Sequence, residues 1–138
     1  MKLYSASLLR ESKNPSCAGS LPNATHTGVA SNPLCGDRIQ WTLRIVDETI
    51  VDARHHTRGC ALCIASASLL AQKLLGRKTH RVVPWVESFS DSVSEMLENQ
   101  EDISDDVLSI FVGLRRAPSR KTCVTLPWEG LAETICGS

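Results

Sequence analysis

Apolar and polar residues alternate with a period of two from Arg38 to Ile45: Ile39, Trp41, Leu43 and Ile45 fall on one side, Arg38, Gln40, Thr42 and Arg44 on the other. Successive side chains of an extended strand point to opposite faces, so this stretch predicts a strand with one buried face. Asp47-Glu48-Thr49 makes a credible turn, and Ile50-Val51-Asp52-Ala53-Arg54-His55 is β-rich enough to return as the second strand of a hairpin. Such a ribbon would place Cys60, just past the second strand, close to Cys35 and Asp37, just before and at the start of the first.

Beyond the ribbon the pattern changes. Leu62, Ile64, Ala65, Ala67, Leu69, Leu70, Ala71, Leu74 and Leu75 leave few polar positions between Ala61 and Leu75, which predicts a mostly buried helix ended by Gly76 with Arg77 and Lys78. A second, amphipathic helix is expected from about His80 or Trp85 to Glu98, a third over Ser104 to Leu114, and a fourth following Cys123. Pro84 and Pro127 suit early helical turns better than interiors. Residues 11 to 36, rich in Ser, Pro, Asn, Gly and Thr, read as mostly loop, which would deliver Cys35 from a flexible segment. Trp41, Leu43, Ile45 and the Ala61 to Leu75 helix are the expected core.

The 138 residues suit a single domain spanning 1–138. Fifteen basic and fifteen acidic residues cancel, leaving no electrostatic footprint for nucleic acid or an anionic membrane. The longest apolar stretch, Ala61 to Leu75, is interrupted by Ser66, Ser68, Gln72 and Lys73 and falls short of the roughly 20 residues needed to span a bilayer. The N-terminus lacks a sustained apolar region and soon carries charge, so a cytoplasmic protein is expected. Six cysteines in a reducing compartment point to metal binding or thiol reactivity rather than disulfides.

Three of those cysteines have distinctive frames: Cys35 in Asn32-Pro33-Leu34-Cys35-Gly36-Asp37, Cys60 in Gly59-Cys60-Ala61-Leu62-Cys63, and Cys123 in Lys121-Thr122-Cys123-Val124-Thr125-Leu126. Cys-Gly-Asp sets a soft thiolate two residues from a hard carboxylate. Gly-Cys before an apolar run sets another at a helix N-terminus, and both settings favour the charged thiolate. Taken singly, Asp37 could be a turn cap and Cys60 a small buried residue. Taken together, three thiolates and Asp37 make a four-ligand set for zinc or a small iron-sulfur cluster. Cys63 shares a helical face with Cys60; packing is its expected role, with a redox Cys-x-x-Cys pair or a spare ligand beside or instead of Asp37 as alternatives. His55 and His56 point to opposite strand faces, so at most one could aim at a metal, and an exposed strand end is their expected setting. Cys17 and Cys136 read as incidental thiols.

At these residues the chain resembles the NifU N-terminal/IscU family of iron-sulfur assembly proteins, in its SufU-like branch. Leu3-Tyr4, Asn14-Pro15, Asn32-Pro33-Leu34-Cys35-Gly36-Asp37-Arg38-Ile39, Ile50-Val51-Asp52-Ala53, Gly59-Cys60 and Ala65-Ser66-Ala67-Ser68 are similar to the family's landmarks in order, and Lys121-Thr122-Cys123-Val124-Thr125-Leu126-Pro127-Trp128 resembles the SufU-type ending. The 63 positions from Cys60 to Cys123, and Thr122 where IscU-type scaffolds carry histidine, place the resemblance in that branch. It implies an α+β fold with a small antiparallel sheet packed by helices, a zinc site made by Cys35, Asp37, Cys60 and Cys123, and a cysteine desulfurase of SufS type as partner. Two roles follow. As a sulfur acceptor, a zinc-dependent sulfurtransferase, the chain would take persulfide sulfur on Cys35 and pass it to later assembly components. As a scaffold, the same four residues would hold a nascent [2Fe-2S] cluster for delivery to acceptor proteins, with the hard oxygen of Asp37 easing release.

Overall fold

A computed structural model describes residues 4–99 and 101–137; the landmark Leu3 lies outside the described residues. The elements run α1 (Ala6–Lys13), β1 (His26–Asn32), β2 (Asp37–Val46), β3 (Thr49–Arg58), α2 (Ala61–Ala71), α3 (Thr79–Glu98), 3-10 helices at Leu108–Arg116 and Pro118–Arg120, and α4 (Lys121–Cys136). The three strands form one antiparallel sheet in the order β1-β2-β3. This is the expected α+β arrangement, with helices covering one face of a small sheet.

The ribbon forms as its alternation predicts. Ile39, Trp41 and Leu43 are fully buried, and β2 pairs with β3 through a two-residue connection, Val46 opposite Thr49 and Arg38 opposite Arg58. Asp47 and Glu48 both adopt positive φ (51° and 61°), which lets so short a loop follow the twist of its strands. A register shift between Arg44 and Ile45 leaves Ile45 only partly buried, at the edge of the core rather than within it.

α2 begins where expected but ends at Ala71, short of Leu75. From there tighter turns carry the chain back to β3: Gly76, at φ 88°, donates its N–H to Ile50 O, and Arg77 O accepts from the Ile50 N–H, each at 2.9 Å. Leu62, Leu70 and Leu74 nevertheless bury completely. α4 lies across the sheet, where the Trp41 indole donates to Pro127 O at 2.9 Å. The Trp128 ring stacks on Phe89 at 3.8 Å and meets Trp85 edge-on at 4.8 Å, so α3 and α4 are joined by aromatic faces. Full burial of each large apolar side chain contributes about 1.5–3 kcal/mol.

Three expectations need correction. Residues 11–36 are loop for the greater part, but not throughout: α1 runs to Lys13, and β1 occupies His26–Asn32 as the edge partner of β2. The third helix is a 3-10 helix displaced to Leu108–Arg116, started by Asp105, whose Oδ1 accepts the N–H groups of Val107 (2.9 Å) and Leu108 (2.8 Å). Pro84 and Pro127 both fall beyond the first turn, because α3 already starts at Thr79 and α4 at Lys121. Among the described residues no helix is long and apolar enough to cross a membrane.

Candidate metal centre

The site lies at the end of the sheet where β1 turns into β2. Asn32 organises that turn: its Oδ1 accepts the Leu34 N–H at 3.0 Å, and its carbonyl accepts from Cys35 (3.3 Å) and Gly36 (2.9 Å). Gly36, at φ 76°, then reverses the chain into Asp37. Cys35 is left exposed at the tip, whereas Asp37 opens β2 and is only 1% exposed. The Asn32 amide also donates to Thr122 Oγ1 at 3.0 Å, tying the turn to the start of α4.

β3 delivers the next donor. Gly59 follows the strand at φ 153°, and Cys60 is the N-cap of α2 with no side-chain capping bond of its own. Its N–H donates to Asp37 Oδ1 at 3.0 Å, so the carboxylate serves as the acceptor that the helix N-terminus lacks. A Cβ on Gly59 would lie 2.8 Å from Asp37 Cγ and 3.1 Å from its Cα, closer than packed atoms approach. Only glycine lets the two strands' ends meet this closely.

α4 supplies the last. Cys123 sits in its first turn, 4% exposed, with Sγ 4.0 Å from Cys35 Sγ although 88 positions separate them in the chain. Asp37 Oδ2 is 3.2 Å from Cys35 Sγ and 3.9 Å from Cys60 Sγ. Donor atoms of Cys35, Asp37 and Cys123 all lie within 4.8 Å of one another, and Cys60 adjoins them through Asp37. A cleft of about 370 Å³ opens over the three thiols, lined also by Leu34, Arg120 and Thr122.

The electrostatics suit a cation. Burial pushes the Cys123 thiol far above its ordinary range, and its bonds to Asp37 and Cys60 and their negative charge push the same way. A metal cation reverses that balance by favouring the thiolate. Tetrahedral zinc takes sulfur at about 2.3 Å and oxygen at about 2.0–2.2 Å, which sets neighbouring donors roughly 3.5–3.8 Å apart, near the separations found here. Cys35, Asp37 and Cys123 therefore match zinc in donor chemistry and spacing, and Cys60, 3.9 Å from the Asp37 oxygen, is the adjoining fourth donor.

The remaining candidates lie elsewhere. Cys63 is fully buried in the core, its thiol raised by burial first and then by the charges of Asp37, Cys60 and Cys35. His55 and His56 do face opposite ways, but His55 is not an exposed strand end. It is 1% exposed and 5.5 Å from the Trp41 ring, with Nε2 2.8 Å from Ser16 O and Nδ1 2.8 Å from Thr57 Oγ1. Both ring nitrogens are thus engaged, and burial holds its pKa below the usual value. His56 is exposed on the outer face. Cys17 is half-buried and Cys136 exposed, neither in the converging set. Asn32 and Gly59 carry structural parts of this site that spacing alone does not announce; the Asn-Pro turn signal and the glycine before Cys60 are their traces in the sequence.

Residues 3–102 match the family described as NifU-like N terminal domain. The chain belongs to that family. Its curated relatives include the zinc-dependent sulfurtransferase SufU of Bacillus subtilis, 28% identical over 134 residues covering 96% of this chain and 89% of the relative. The iron-sulfur cluster assembly scaffold protein IscU of Streptococcus pyogenes is 29% identical over 136 residues, covering 96% and 82%. Among solved structures, the N-terminal part of a NifU-like protein from Brucella abortus superposes with a TM-score of 0.80 at 21% identity, covering 97% of this chain and 92% of that one, which carries the fold. The family match ends before Cys123, whereas both curated alignments span nearly the whole NifU-like chain.

Proposed function

We propose that this NifU-like chain, acting as a single cytoplasmic domain, is an iron-sulfur cluster assembly protein that accepts persulfide sulfur on Cys35 from a cysteine desulfurase and passes it to later assembly components. The observation that carries the reading is the unequal exposure of the converging donors: Cys35 stands exposed at the tip of a glycine turn, while Asp37 and Cys123 are buried behind it. A partner can reach only the first of these without unfolding the site. The 28% identity to a zinc-dependent sulfurtransferase over nearly the full length supports the same choice.

Cys35, Asp37, Cys60 and Cys123 are the zinc ligands in this reading. Zinc, when bound, lowers the thiol pKa values and so stores deprotonated sulfur at neutral pH. The Cys35 thiolate attacks the terminal sulfur of the desulfurase persulfide; a new S–S bond forms at Cys35, the donor S–S bond breaks, and the desulfurase cysteine leaves as thiolate. One sulfane sulfur moves with its proton, and no external oxidant or reductant is needed. Asp37, buried and bonded to the Cys60 N–H, stays fixed beside the Cys35 thiol, 3.2 Å away.

A second reading has its own support: the cleft over the thiols has room for more than one ion, and the Streptococcus relative is a scaffold. There the four residues hold a [2Fe-2S] cluster as cargo. Metal and acid-labile sulfide content of protein purified anaerobically from its own host, followed by desulfurase turnover with and without it, separates the two. One zinc, no sulfide and accelerated turnover that requires Cys35 supports sulfur acceptance; iron with matching sulfide and no acceleration supports the scaffold.

A further inference from the structure

Arg38 and Arg58 are direct partners across β2 and β3, and both are exposed on the outer face of the sheet. Like charges facing each other across an antiparallel pair are destabilising, and such pairs need a counter-charge. Further along the same face Arg54 has one: Asp52 lies 3.1 Å from its guanidinium. Arg38 and Arg58 have none among the described residues. The nearest carboxylate in the chain, Asp37, is buried on the opposite side and already engaged with Cys60 and Cys35. The uncompensated pair therefore sits at the donor end of the sheet, one residue from Asp37 and two from Cys60.

At the same end of the sheet, in the turn between β1 and β2, Leu34 is 96% exposed, an apolar side chain next to Cys35 in the chain. A guanidinium pair and a bare leucine at one end of the sheet suit a protein surface that offers carboxylates and an apolar spot, and suit a free anion less well. Nucleic acid fits worse, because fifteen acidic residues offset fifteen basic ones and leave no net positive charge to hold a polyanion.

We propose that Arg38 and Arg58, with Leu34, form a docking clamp for an acidic segment of the protein that carries the persulfide. The clamp rests on the sulfur-acceptor reading for the identity of that partner. Docking there brings the partner onto the sheet end, where Cys35 is the accessible thiol, so the same contact that binds also aims.

The test uses the full chain and the cysteine desulfurase of the same host. Arg38→Glu and Arg58→Glu are compared with Arg44→Glu, which makes the same change in charge on the same face nearer the far end of β2. Zinc content and circular dichroism confirm that each variant is folded. Either clamp variant raises the acceptor concentration giving half-maximal turnover on the order of 10-fold, leaves maximal turnover unchanged, and flattens its salt dependence. Arg44→Glu stays within about twofold of the unaltered protein. Equal behaviour of all three variants, or clamp variants indistinguishable from the parent, overturns the clamp. Desulfurase binding is read separately by calorimetry. Binding weakened only by the clamp variants, without acceleration by the parent, counts against sulfur acceptance and leaves the clamp standing; a parent that does not bind overturns it.

Discussion

The two ends of the β2–β3 ribbon ask the same thing of the backbone and answer it with different residues. At the far end Asp47 and Glu48 take φ of 51° and 61°; at the donor end Gly36 and Gly59 take 76° and 153°. Both far-end residues are exposed, so the penalty there is confined to the backbone, about 1–2 kcal/mol for each non-glycine residue in the left-handed region. At Gly59 a side chain would also strike Asp37. Glycine thus appears where close approach assembles the donors, and strain is left in place where only stability is at stake.

The largest effect expected from this contrast is at Gly59. Gly59→Ala must displace either Asp37 or Cys60, and zinc affinity falls by more than about 100-fold while the fold persists. Competition with a chromophoric chelator, read beside circular dichroism, measures both; zinc affinity equal to the parent's would show that the close approach is dispensable. Asp37→Ala comes next. It removes the oxygen donor and the acceptor of the Cys60 N–H, so zinc retention and sulfur acceptance are lost under the transfer reading, whereas a cluster persists longer under the scaffold reading. In the Asp37→Ala background, Gly59→Ala has little left to strike, and the two losses should be far from additive. Gly36→Ala is smaller again. No atom lies within 4 Å of its added Cβ, so the positive φ opposes it by about 1–2 kcal/mol and the stiffer unfolded chain offsets about 0.4–1 kcal/mol, a net cost of about 0.5–1 kcal/mol in thermal unfolding with zinc still bound.

The same contrast marks what could be read from sequence. The ribbon was legible because Ile39, Trp41 and Leu43 alternate over a long run, and from it followed the meeting of Asp37 with Cys60. β1 was not legible. His26–Asn32 alternates only between half-buried and exposed, with its largest apolar residue, Val29, on the exposed side, and its strand form comes from pairing with β2 and from α4 lying against Gly28, where an added Cβ would be 3.0 Å from Thr134 Cβ. α1 has a single buried side chain, Leu8, and a cap in which Ser5 Oγ accepts the Leu8 N–H at 3.1 Å, too little to shape a periodic pattern. Cys123 was singled out by its neighbours, but periodicity cannot say that α4 folds back across 88 positions to set it beside Cys35. The family resemblance supplied that expectation, and helix packing on the sheet realises it.

The smallest expected effect is also the one that tests whether the two ends are independent. Glu48→Gly removes a left-handed penalty of about 1–2 kcal/mol and returns about 0.4–1 kcal/mol through the greater freedom of glycine in the unfolded chain. The net is a gain of about 0.5–1 kcal/mol, seen as a rise in Tm of roughly 2–5 °C. The Glu48 carbonyl keeps its bond from the Thr79 N–H at 2.9 Å, because that contact belongs to the backbone. Zinc affinity and desulfurase acceleration should stay at the parent's values. A stabilised protein with weaker zinc binding would mean that strain at Asp47-Glu48 is transmitted along the ribbon to Asp37 and Cys60. In that case the ends form one device, and the glycines at the donor end could no longer be explained by local approach alone.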